Sequence, residues 1–374
     1  MRGAALVFLL IISACGGSGP PASNTPSASA GQSEASAPPA SPTTGPSPLV
    51  HCSGTVPAGD NLVIGAVTGD PTVVVRDIQD PAHARNLCTF AAAALAPQFV
   101  TGTTVAYETA DRQILKADLS GGPATMLATY SSGFDSGQYA FSPDGRTLTY
   151  LDHNAWHLVT QSGNRVLTTL PEAPARGVSF NQDDSFLGFS PDGVYVAYFQ
   201  TFHVGGTGET APDQIRKASD ESLVYSTSGG TMAVWASAPG RLFFRDPTGS
   251  LKRWDPGAGV STATSVMWVR PKSSPDGRWI AYTTPTDAGV DRVGFYSVQA
   301  NRVTNEIGPG RSGVRFLTND LVWYIGERAC STCFGGQPSP TGVTYIYSIA
   351  GASEVTSRLS AVYDAWPRVT APAL

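Results

Sequence analysis

A short phrase recurs three times along the chain and constrains the fold more than any other feature. Phe-Ser-Pro-Asp-Gly stands at residues 141–145 and 189–193, and Ser-Ser-Pro-Asp-Gly at 273–277. Each copy lies between two apolar, aromatic-bearing runs that are typical of β-strands. Proline presets the first corner of a tight turn, aspartate can bond the backbone that follows it, and glycine tolerates a positive φ. Each copy therefore predicts a β-hairpin turn, and the recurrence indicates one repeated supersecondary unit.

The spacing of these turns predicts how many units the chain contains. Gly145 and Gly193 are 48 residues apart, whereas Gly193 and Gly277 are 84 apart, close to two units of ~40–45 residues, the length of a four-stranded propeller blade. More degenerate turns complete the series at spacings of 37 to 48 residues: Gly59, Gly102, Gly240 and Asn319-Asp320. With no long helical pattern to compete, we expect an all-β fold, a single β-propeller of four-stranded antiparallel blades. Seven blades are favoured, and six are the alternative.

The residues behind each turn follow a common order of strands. The second strand of a unit is apolar, as at residues 148–151 and 279–282, and a third strand follows, as at 251–255. A fourth, more polar strand, as at 302–306, would form an outer edge whose charges discourage edge-to-edge pairing. The sequence leaves open whether residues 362–370 complete the first blade or the last, and we expect them to close the ring.

The repeated phrase also resembles a known family. Phe-Ser-Pro-Asp-Gly, followed by a strand that ends in Ala-Tyr or Thr-Tyr, is similar to the WD40-like repeats of TolB-type β-propellers. Three copies are close and four are degenerate, and together they cover most of residues 49–374. The resemblance implies a β-propeller, and residues 49–374 are predicted to be the propeller domain.

The acidic residues of the phrase have two interpretations. As turn formers, they would accept hydrogen bonds from the following backbone, while each glycine takes the positive φ of a bulged hairpin. As an acidic rim, they would attract a cation or a basic partner. We favour turn formation for the residues of all three copies: Asp144, Gly145, Asp192, Gly193, Asp276 and Gly277.

Residues 1–15 resemble a bacterial lipoprotein signal peptide. Arg2 provides a positive start, residues 4–12 are apolar, and the segment ends in Ile12-Ser13-Ala14-Cys15, which is typical of a lipobox. Cleavage would make Cys15 the lipidated first residue; the alternative is an ordinary secretory signal that contains a cysteine. The apolar stretch is too short for a permanent membrane-spanning helix. We therefore expect an extracytoplasmic protein of the bacterial cell envelope, anchored to the cell membrane by lipid alone.

Residues 16–48 are predicted to be a disordered tether. The segment is almost entirely Gly, Ser, Ala, Thr and Pro, with a single charge at Glu34. Such a composition cannot bury enough apolar surface to fold. As a flexible coil, a tether of this length would span roughly 30 Å on average. A glycosylated stalk is the alternative, since serine and threonine are frequent.

Composition limits the possible partners. Of the 374 residues, 41% are hydrophobic and only 14% are charged, which provides the apolar surface for a large core. The net charge is −5, and the 24 lysines and arginines form no basic run. Phosphate binding needs a cationic patch, so a nucleic acid is excluded as a partner. We expect a monomer that binds an unidentified protein or cell-envelope component, without a cofactor.

The four cysteines after Cys15 are predicted to form disulfides, because an exported protein folds in an oxidising compartment. Three pairings are possible; we favour Cys52 with Cys88, both in the first blade, and Cys330 with Cys333 in a loop. Two alternatives exist for the second pair, a redox-active dithiol or half of a zinc site. Glycine and proline after this pair disfavour the helix that a redox motif begins, and no second close pair of Cys or His completes a zinc site. We therefore expect no metal site.

Two long connections mark a candidate binding face. Most connections between second and third strands have three or four residues, but residues 201–212 and 327–342 form longer ones. Connections of this class emerge on one face of a propeller, opposite the Pro-Asp-Gly turns, and long loops are often functional. The candidate residues on this face are aromatic or titratable: His153, Phe202, His203 and Glu209. A tolerated surface insertion is the alternative.

Two functions fit these observations. The sequence contains no Gly-x-Ser-x-Gly nucleophile motif and no phosphate-binding loop, so no catalytic residue is assigned. We favour a binding or scaffold module. The alternative is a propeller enzyme or small-ligand sensor that acts on extracellular sugars or peptides, since propeller enzymes gather catalytic groups from several blades.

Overall fold

The computed structural model describes most of the chain after residue 49. The described ranges are 50–54, 56, 61–67, 69–78, 84–90, 94–130, 138–152, 155–169, 178–180, 186–199, 202–204, 212–236, 240–264, 266–284, 290–330 and 338–366. Every regular element in these ranges is a β-strand. They contain no helix with the length and hydropathy that a membrane crossing needs. The strands form seven antiparallel sheets of four or more strands and one short accessory pair.

Each of the seven sheets is one blade of a β-propeller, and the strands of each blade follow in order from the inner edge outward. Blade 1 contains β31 (Leu359–Trp366), β2 (Leu62–Val67), β3 (Asp70–Asp77), β4 (Arg85–Phe90) and β1 (Val50–Cys52); blade 2 contains β5 (Leu95–Thr101), β6 (Thr104–Glu108), β7 (Gln113–Asp118) and β8 (Thr125–Thr129). Blade 3 contains β9 (Tyr139–Phe141), β10 (Leu148–Asp152), β11 (Ala155–Thr160) and β12 (Gly163–Thr169). Blade 4 contains β14 (Phe186–Phe189), β15 (Tyr195–Phe199), β17 (Pro212–Lys217) and β18 (Leu223–Ser228), and beside it β13 (Val178–Phe180) pairs with β16 (Phe202–Val204).

The remaining three blades repeat the same order without interruption. Blade 5 contains β19 (Thr231–Ala236), β20 (Arg241–Arg245), β21 (Leu251–Asp255) and β22 (Gly259–Thr264). Blade 6 contains β23 (Val269–Ser273), β24 (Trp279–Thr284), β25 (Arg292–Ser297) and β26 (Arg302–Ile307), and blade 7 contains β27 (Arg311–Phe316), β28 (Leu321–Arg328), β29 (Ser339–Ser348) and β30 (Ser353–Thr356). The predicted all-β propeller is confirmed, with seven blades rather than six.

The repeated phrase forms the same turn three times, between the first and second strands of blades 3, 4 and 6. In blade 3, the Ser142 hydroxyl donates to Asp144 Oδ1 at 2.6 Å, and Asp144 Oδ1 also accepts the backbone N–H of Arg146 at 3.1 Å. The Ser190–Asp192 and Ser274–Asp276 pairs repeat this contact at 2.5 Å and 2.7 Å. The glycine that ends each turn has a φ of 66° to 71°. The serine and aspartate side chains thus stabilise the turn, because they bond to each other and the aspartate accepts a hydrogen bond from the backbone that follows.

The C-terminal strand closes the ring. β31 pairs antiparallel with β2, from Leu62 opposite Trp366 to Val67 opposite Leu359. The innermost strand of blade 1 therefore comes from the end of the chain, and the outer ones come from its beginning. The sequence left this choice between the first and last blades open; the closing strand belongs to the first and begins at Leu359, three residues before the expected segment.

Adjacent blades pack face to face through separate hydrophobic clusters. Seven clusters of buried side chains occur, one at each interface from blades 1 and 2 round to blades 7 and 1. In the last of these, Val63 and Val362 of blade 1 meet Leu317 and Trp323 of blade 7. Because all seven interfaces are filled, the apolar core is a continuous ring rather than one central mass.

A fifth strand extends blade 1 at its outer edge. β1 pairs with β4, and Cys52 lies opposite Cys88 in that register. These two cysteines form the predicted disulfide. Cys330 is also disulfide-bonded, and its predicted partner Cys333 lies outside the described residues. Pairing with β1 covers the outer edge that β4 would otherwise expose.

Both long connections contain more regular structure than the sequence indicated. Residues 327–342 were expected to be a loop, but β28 continues to Arg328 and β29 begins at Ser339. Residues 201–212 were also expected to be a loop, but they include β16, in which His203 lies opposite Ser179. In both places the additional strand residues pair with another strand. A local pattern of residues does not reveal such pairing between separate segments.

Two turn glycines allow the steric account of the turn to be tested. A Cβ on Gly145 would lie 2.8 Å from Val100 Cγ1, whereas one on Gly193 would lie 3.4 Å from Pro143 Cδ, an ordinary contact. Both residues have a similar positive φ. We expect Gly193→Ala to lower the free energy of unfolding by about 1 to 2 kcal/mol, through backbone strain alone. Gly145→Ala should lower the free energy of unfolding by about 1 kcal/mol more than Gly193→Ala does, because the buried Val100 side chain must move.

Chemical denaturation of the two variants beside the unchanged protein measures the difference. Equal losses, or a larger loss for Gly193→Ala, would contradict the account of this turn.

Candidate functional site

The described structure has a cavity in the central channel of the ring, with a volume of about 360 Å³. All seven innermost strands contribute to its wall: β5, β9, β14, β19, β23, β27 and β31. Residues of the repeated turns, among them Ser142, Ser190 and Pro275, also line it. The cavity therefore lies at the end of the channel where the inner strands enter their turns. Its volume falls within the range of small-molecule sites, about 300 to 1,000 Å³.

The cavity wall differs chemically from one side to another. Three inner strands have a small residue at the same position of the repeat: Ala140, Gly188 and Ala365. Each of them pairs with the residue of the second strand that stands four places after the turn glycine. At the equivalent point, β23 carries Lys272 and β27 carries Arg315. The adjacent blades 6 and 7 therefore form a cationic side, while small residues in blades 1, 3 and 4 leave space.

The acidic group of the wall contributes to the ring itself. Asp364 Oδ2 accepts a hydrogen bond of 2.7 Å from the backbone N–H of Phe99, which joins the inner strands of blades 1 and 2. Arg315 donates from Nη1 to the carbonyl oxygen of Val314 at 2.9 Å, so its guanidinium is held beside its own strand. Among the described wall residues, the charged groups are thus Lys272, Arg315 and Asp364, which give a net positive charge.

Aromatic side chains supply much of the remaining wall: Phe141, Phe186, Phe189, Trp235, Phe316, Tyr363 and Trp366. The indole N–H of Trp235 donates to the carbonyl oxygen of Gly188 at 3.0 Å, which fixes this ring. Tyr363 is the extra residue of a β-bulge in β31 and is 44% exposed. Fixed rings of this kind offer flat apolar surfaces to the ring or hydrocarbon part of a ligand.

Of the candidate residues from the sequence, the turn residues and three of the four paired cysteines are described above, whereas the lipid-attachment residue and two of the four binding-face residues lie outside the part of the chain that the structure describes. This applies to the proposed lipid attachment site Cys15 and to His153 and Glu209. Phe202 and His203 lie in β16, whose backbone pairing is described and whose side chains are not. The candidate binding face that these residues would form therefore stays a prediction.

The cationic residues of the cavity were missed by the sequence analysis, although the repeats contain a signal for them. Lys272 stands two residues before its Ser-Pro-Asp-Gly, at the position that Ala140 and Gly188 occupy in the other two close copies. A charged residue where other repeats have alanine or glycine is conspicuous only once the repeats are aligned residue by residue. Arg315 precedes a degenerate turn and has no such phrase to mark it.

One group of polar residues with shifted pKa values serves the fold rather than the cavity. In blade 7, Arg311 donates to both oxygens of Glu354 at 3.1 and 2.9 Å and lies 4.1 Å above the ring of Tyr345. The Tyr324 hydroxyl also donates to Glu354. Burial acts to raise the pKa of the Glu354 carboxyl, but the hydrogen bonds from Arg311 and Tyr324 outweigh it and lower the pKa. This network ties the first strand of the blade to the fourth.

Metal ligands are not grouped in the described ranges. No set of three or more His, Cys, Asp or Glu side chains there lies close enough to hold a metal ion. His157 lies in β11 and stacks on Tyr150 with ring centroids 4.6 Å apart.

Comparisons with known proteins support the fold. No protein-family model matches the chain, and no curated protein matches it. An oligogalacturonate lyase from Vibrio parahaemolyticus is 10% identical, with a TM-score of 0.50 over 79% of this chain and 84% of that one. A prolyl endopeptidase is 12% identical, with a TM-score of 0.52 over 82% of this chain and 49% of that one. TolB from Acinetobacter baumannii is 19% identical, with a TM-score of 0.41 over 68% of this chain and 65% of that one.

Similarities at such low identity show the fold alone. The sheet topology shows a seven-bladed β-propeller with a ligand-sized cavity in the central channel, and the similarity to the lyase and the endopeptidase agrees with this fold.

The blade 7 network predicts how stability depends on pH. Because the folded-state pKa of Glu354 is depressed below its ordinary value of 4.5, the stabilisation is present at neutral pH and is lost as pH falls through that depressed pKa. We expect Glu354→Gln to lower the free energy of unfolding at pH 7 by about 1 to 2 kcal/mol. The difference in the free energy of unfolding between the variant and the unchanged protein should become smaller at acidic pH.

Denaturation at several pH values measures this gap. Glu306→Gln is the matched control, because Glu306 meets Arg292 at 3.7 Å and both side chains are more than two-fifths exposed. A gap that is constant with pH, or one as small as for the control, would show that the network does not stabilise the blade.

Proposed function

We propose that this protein is a membrane-tethered, extracytoplasmic binding module for a protein or cell-envelope component, and that a small part of this ligand enters the central-channel cavity. The observation that carries the proposal is the cavity itself, at which all seven blades meet. A rigid closed ring supports recognition because its inner strands hold each wall residue in a fixed position, so little ordering entropy is lost when a ligand binds. Aromatic and charged groups converge on the same space.

The proposed location follows from the beginning of the chain. Residues 1–15 have the pattern of a lipoprotein signal, and Cys15 would carry the lipid. Residues 16–48 would then hold the propeller away from the membrane surface on a flexible tether. The described chain enters the propeller through β1, at the outer edge of blade 1.

The second candidate is a propeller enzyme or small-ligand sensor for extracellular sugars or peptides. The observation that favours it is the size of the cavity, which suits a small molecule better than a whole protein surface. Two of the compared structures are named as enzymes, an oligogalacturonate lyase and a prolyl endopeptidase. Under this alternative, the cavity would hold the substrate.

Site-specific photo-cross-linking in cells that carry the full chain tests the proposal. A photoreactive phenylalanine analogue replaces Tyr363, which lines the cavity and is 44% exposed, or replaces Val355 of the outermost strand β30, which is 60% exposed. We expect one reproducible adduct of defined mass from position 363 and none from position 355. A defined envelope polymer or protein supports the binding module, whereas a small-molecule adduct supports the second candidate.

Two results would contradict the proposal. Identical adducts from both positions, or adducts from position 355 alone, would show that the ligand binds at the rim and not in the cavity.

The tether is tested in the same cells with Cys15→Ser. This variant should be lost from the membrane fraction, because it lacks the lipid attachment site. If the Cys15→Ser chain stays in the membrane fraction, the proposal of a lipid anchor at Cys15 is wrong.

A further inference from the structure

We infer that Arg241 and Arg253, on the side of blade 5 that faces blade 6, form a binding site for a single phosphate group. One carboxylate holds both guanidiniums. Nε of Arg241 donates to Asp255 Oδ1 at 2.6 Å, and Nε of Arg253 donates to Asp255 Oδ2 at 2.6 Å. The two cations are therefore direct neighbours. None of these three residues lines the channel cavity, so this site is separate from that of the proposed function.

The two arginines face the boundary between blades 5 and 6. Phe243 and Leu251 of blade 5 pack against side chains of blade 6, and residues two apart in a strand lie on the same face of the sheet. Arg241 stands two residues before Phe243, and Arg253 stands two residues after Leu251. Burial raises the pKa of the Tyr296 hydroxyl in blade 6 to about 12, even though Arg253 and Arg241 act to lower it. The positive charge of both arginines thus reaches blade 6.

Comparison among blades shows that the fold does not require a cation at the position of Arg253. This residue lies opposite Phe243, which precedes the buried aromatic residue of the second strand, Phe244. In four other blades, the residue at this position is apolar, almost fully buried and packed in the interface with the next blade: Leu158, Ile215, Phe295 and Ile346. Blade 2 has Lys116 there. Arg253 therefore makes polar a place that is apolar between most blades.

Arg241 also differs from its counterparts in the repeated phrase. Arg146 and Arg278 directly follow a turn glycine and lie near the aspartate of their own turn, with about three-quarters of each side chain exposed. The turn of blade 5 is Ala-Pro-Gly and lacks this aspartate. Arg241 bonds to Asp255 of the third strand instead, and only 30% of its side chain is exposed. The loss of the turn aspartate thus brings Arg241 beside Arg253.

Both guanidiniums keep donors for a ligand. Each uses only Nε for Asp255, and the Nη atoms of Arg241 and Arg253 have no hydrogen-bond partner in the part of the chain that the structure describes. The two side chains are 30% and 29% exposed, so these atoms are accessible from solvent. Two guanidiniums against one carboxylate also leave one positive charge in this group of three side chains.

The number of free donors indicates which anion fits. Four Nη atoms exceed what the two oxygens of a carboxylate can accept in a bidentate pair, whereas a phosphate group has more oxygens, arranged in a tetrahedron. Arginine binds phosphate through parallel N–H donors, which gives both charge and geometry. A nucleic acid would need a row of such sites, and the chain has no basic run. The ligand is therefore one phosphate group, either free or on a small organic carrier.

Isothermal titration of the full-length protein tests this inference, at a low and constant ionic strength because salt screens exposed charges. The probes are inorganic phosphate, glycerol 3-phosphate and acetate. We expect a phosphate probe to bind at one site per chain. Acetate should bind at least about tenfold more weakly, as expected for the loss of one charge-assisted hydrogen bond. Tighter binding of glycerol 3-phosphate than of inorganic phosphate would identify a carried phosphate group, and the reverse order a free one.

Variants assign the binding to the two arginines. Arg241→Gln and Arg253→Gln are each expected to weaken the phosphate probe about tenfold or more, and Arg253→Lys, which keeps the charge, should retain part of the affinity. The matched control is Arg146→Gln in blade 3. Arg146 also follows a turn glycine, but its side chain is 79% exposed and lies 3.9 Å from the aspartate of its own turn, so binding should not change. Thermal unfolding of each variant checks that the ring is intact.

Three results would each overturn the inference: no binding of either phosphate probe, acetate binding as tight as phosphate binding, or full phosphate affinity in both Arg241→Gln and Arg253→Gln. An equal loss in Arg146→Gln would also overturn it, because binding would then follow the net charge and not this site. The proposed function is tested separately, by adduct formation at position 363 in the cavity. Failure of one therefore does not imply failure of the other.

Discussion

The antiparallel pairing of β31 with β2 is the contact on which the rest of this structure depends. It joins the two ends of a chain whose other blades are each built from neighbouring segments. Without it, blades 1 and 7 would present open faces, and the cluster between them would be exposed to water. The same strand supplies part of the cavity wall, from Val362 to Trp366. The wall of the proposed site is therefore complete only when the ring is closed.

Packing between blades explains why one repeated phrase can build the whole ring. In blades 2 to 7, the second strand carries an aromatic residue that is buried at an interface: Tyr107, Tyr150, Tyr198, Phe244, Tyr282 and Tyr324. Large rings bury much apolar surface with few rotatable bonds, so each interface is stabilised at a small cost in conformational entropy.

The sequence predicted the features that local chemistry determines. The Ser-Pro-Asp-Gly turns, the number of blades and the Cys52–Cys88 disulfide follow from residues with strong conformational or covalent preferences. The bulges at the start of several inner strands were not foreseen. There Ala96, Met232 and Arg270 adopt a positive φ that such residues rarely take, so only the tertiary pairing reveals it. The cavity was missed for the same reason, because its wall joins residues from seven separate strands.

Amide hydrogen exchange of the full chain tests ring closure most directly. If β31 is an integral part of one cooperative ring, its amides that bond to β2 should exchange with the same opening free energy as those of β14, an inner strand from the middle of the chain. Exchange of β31 at a much lower free energy, while β14 stays protected, would show that the ring is stable without its closing strand and would contradict this account.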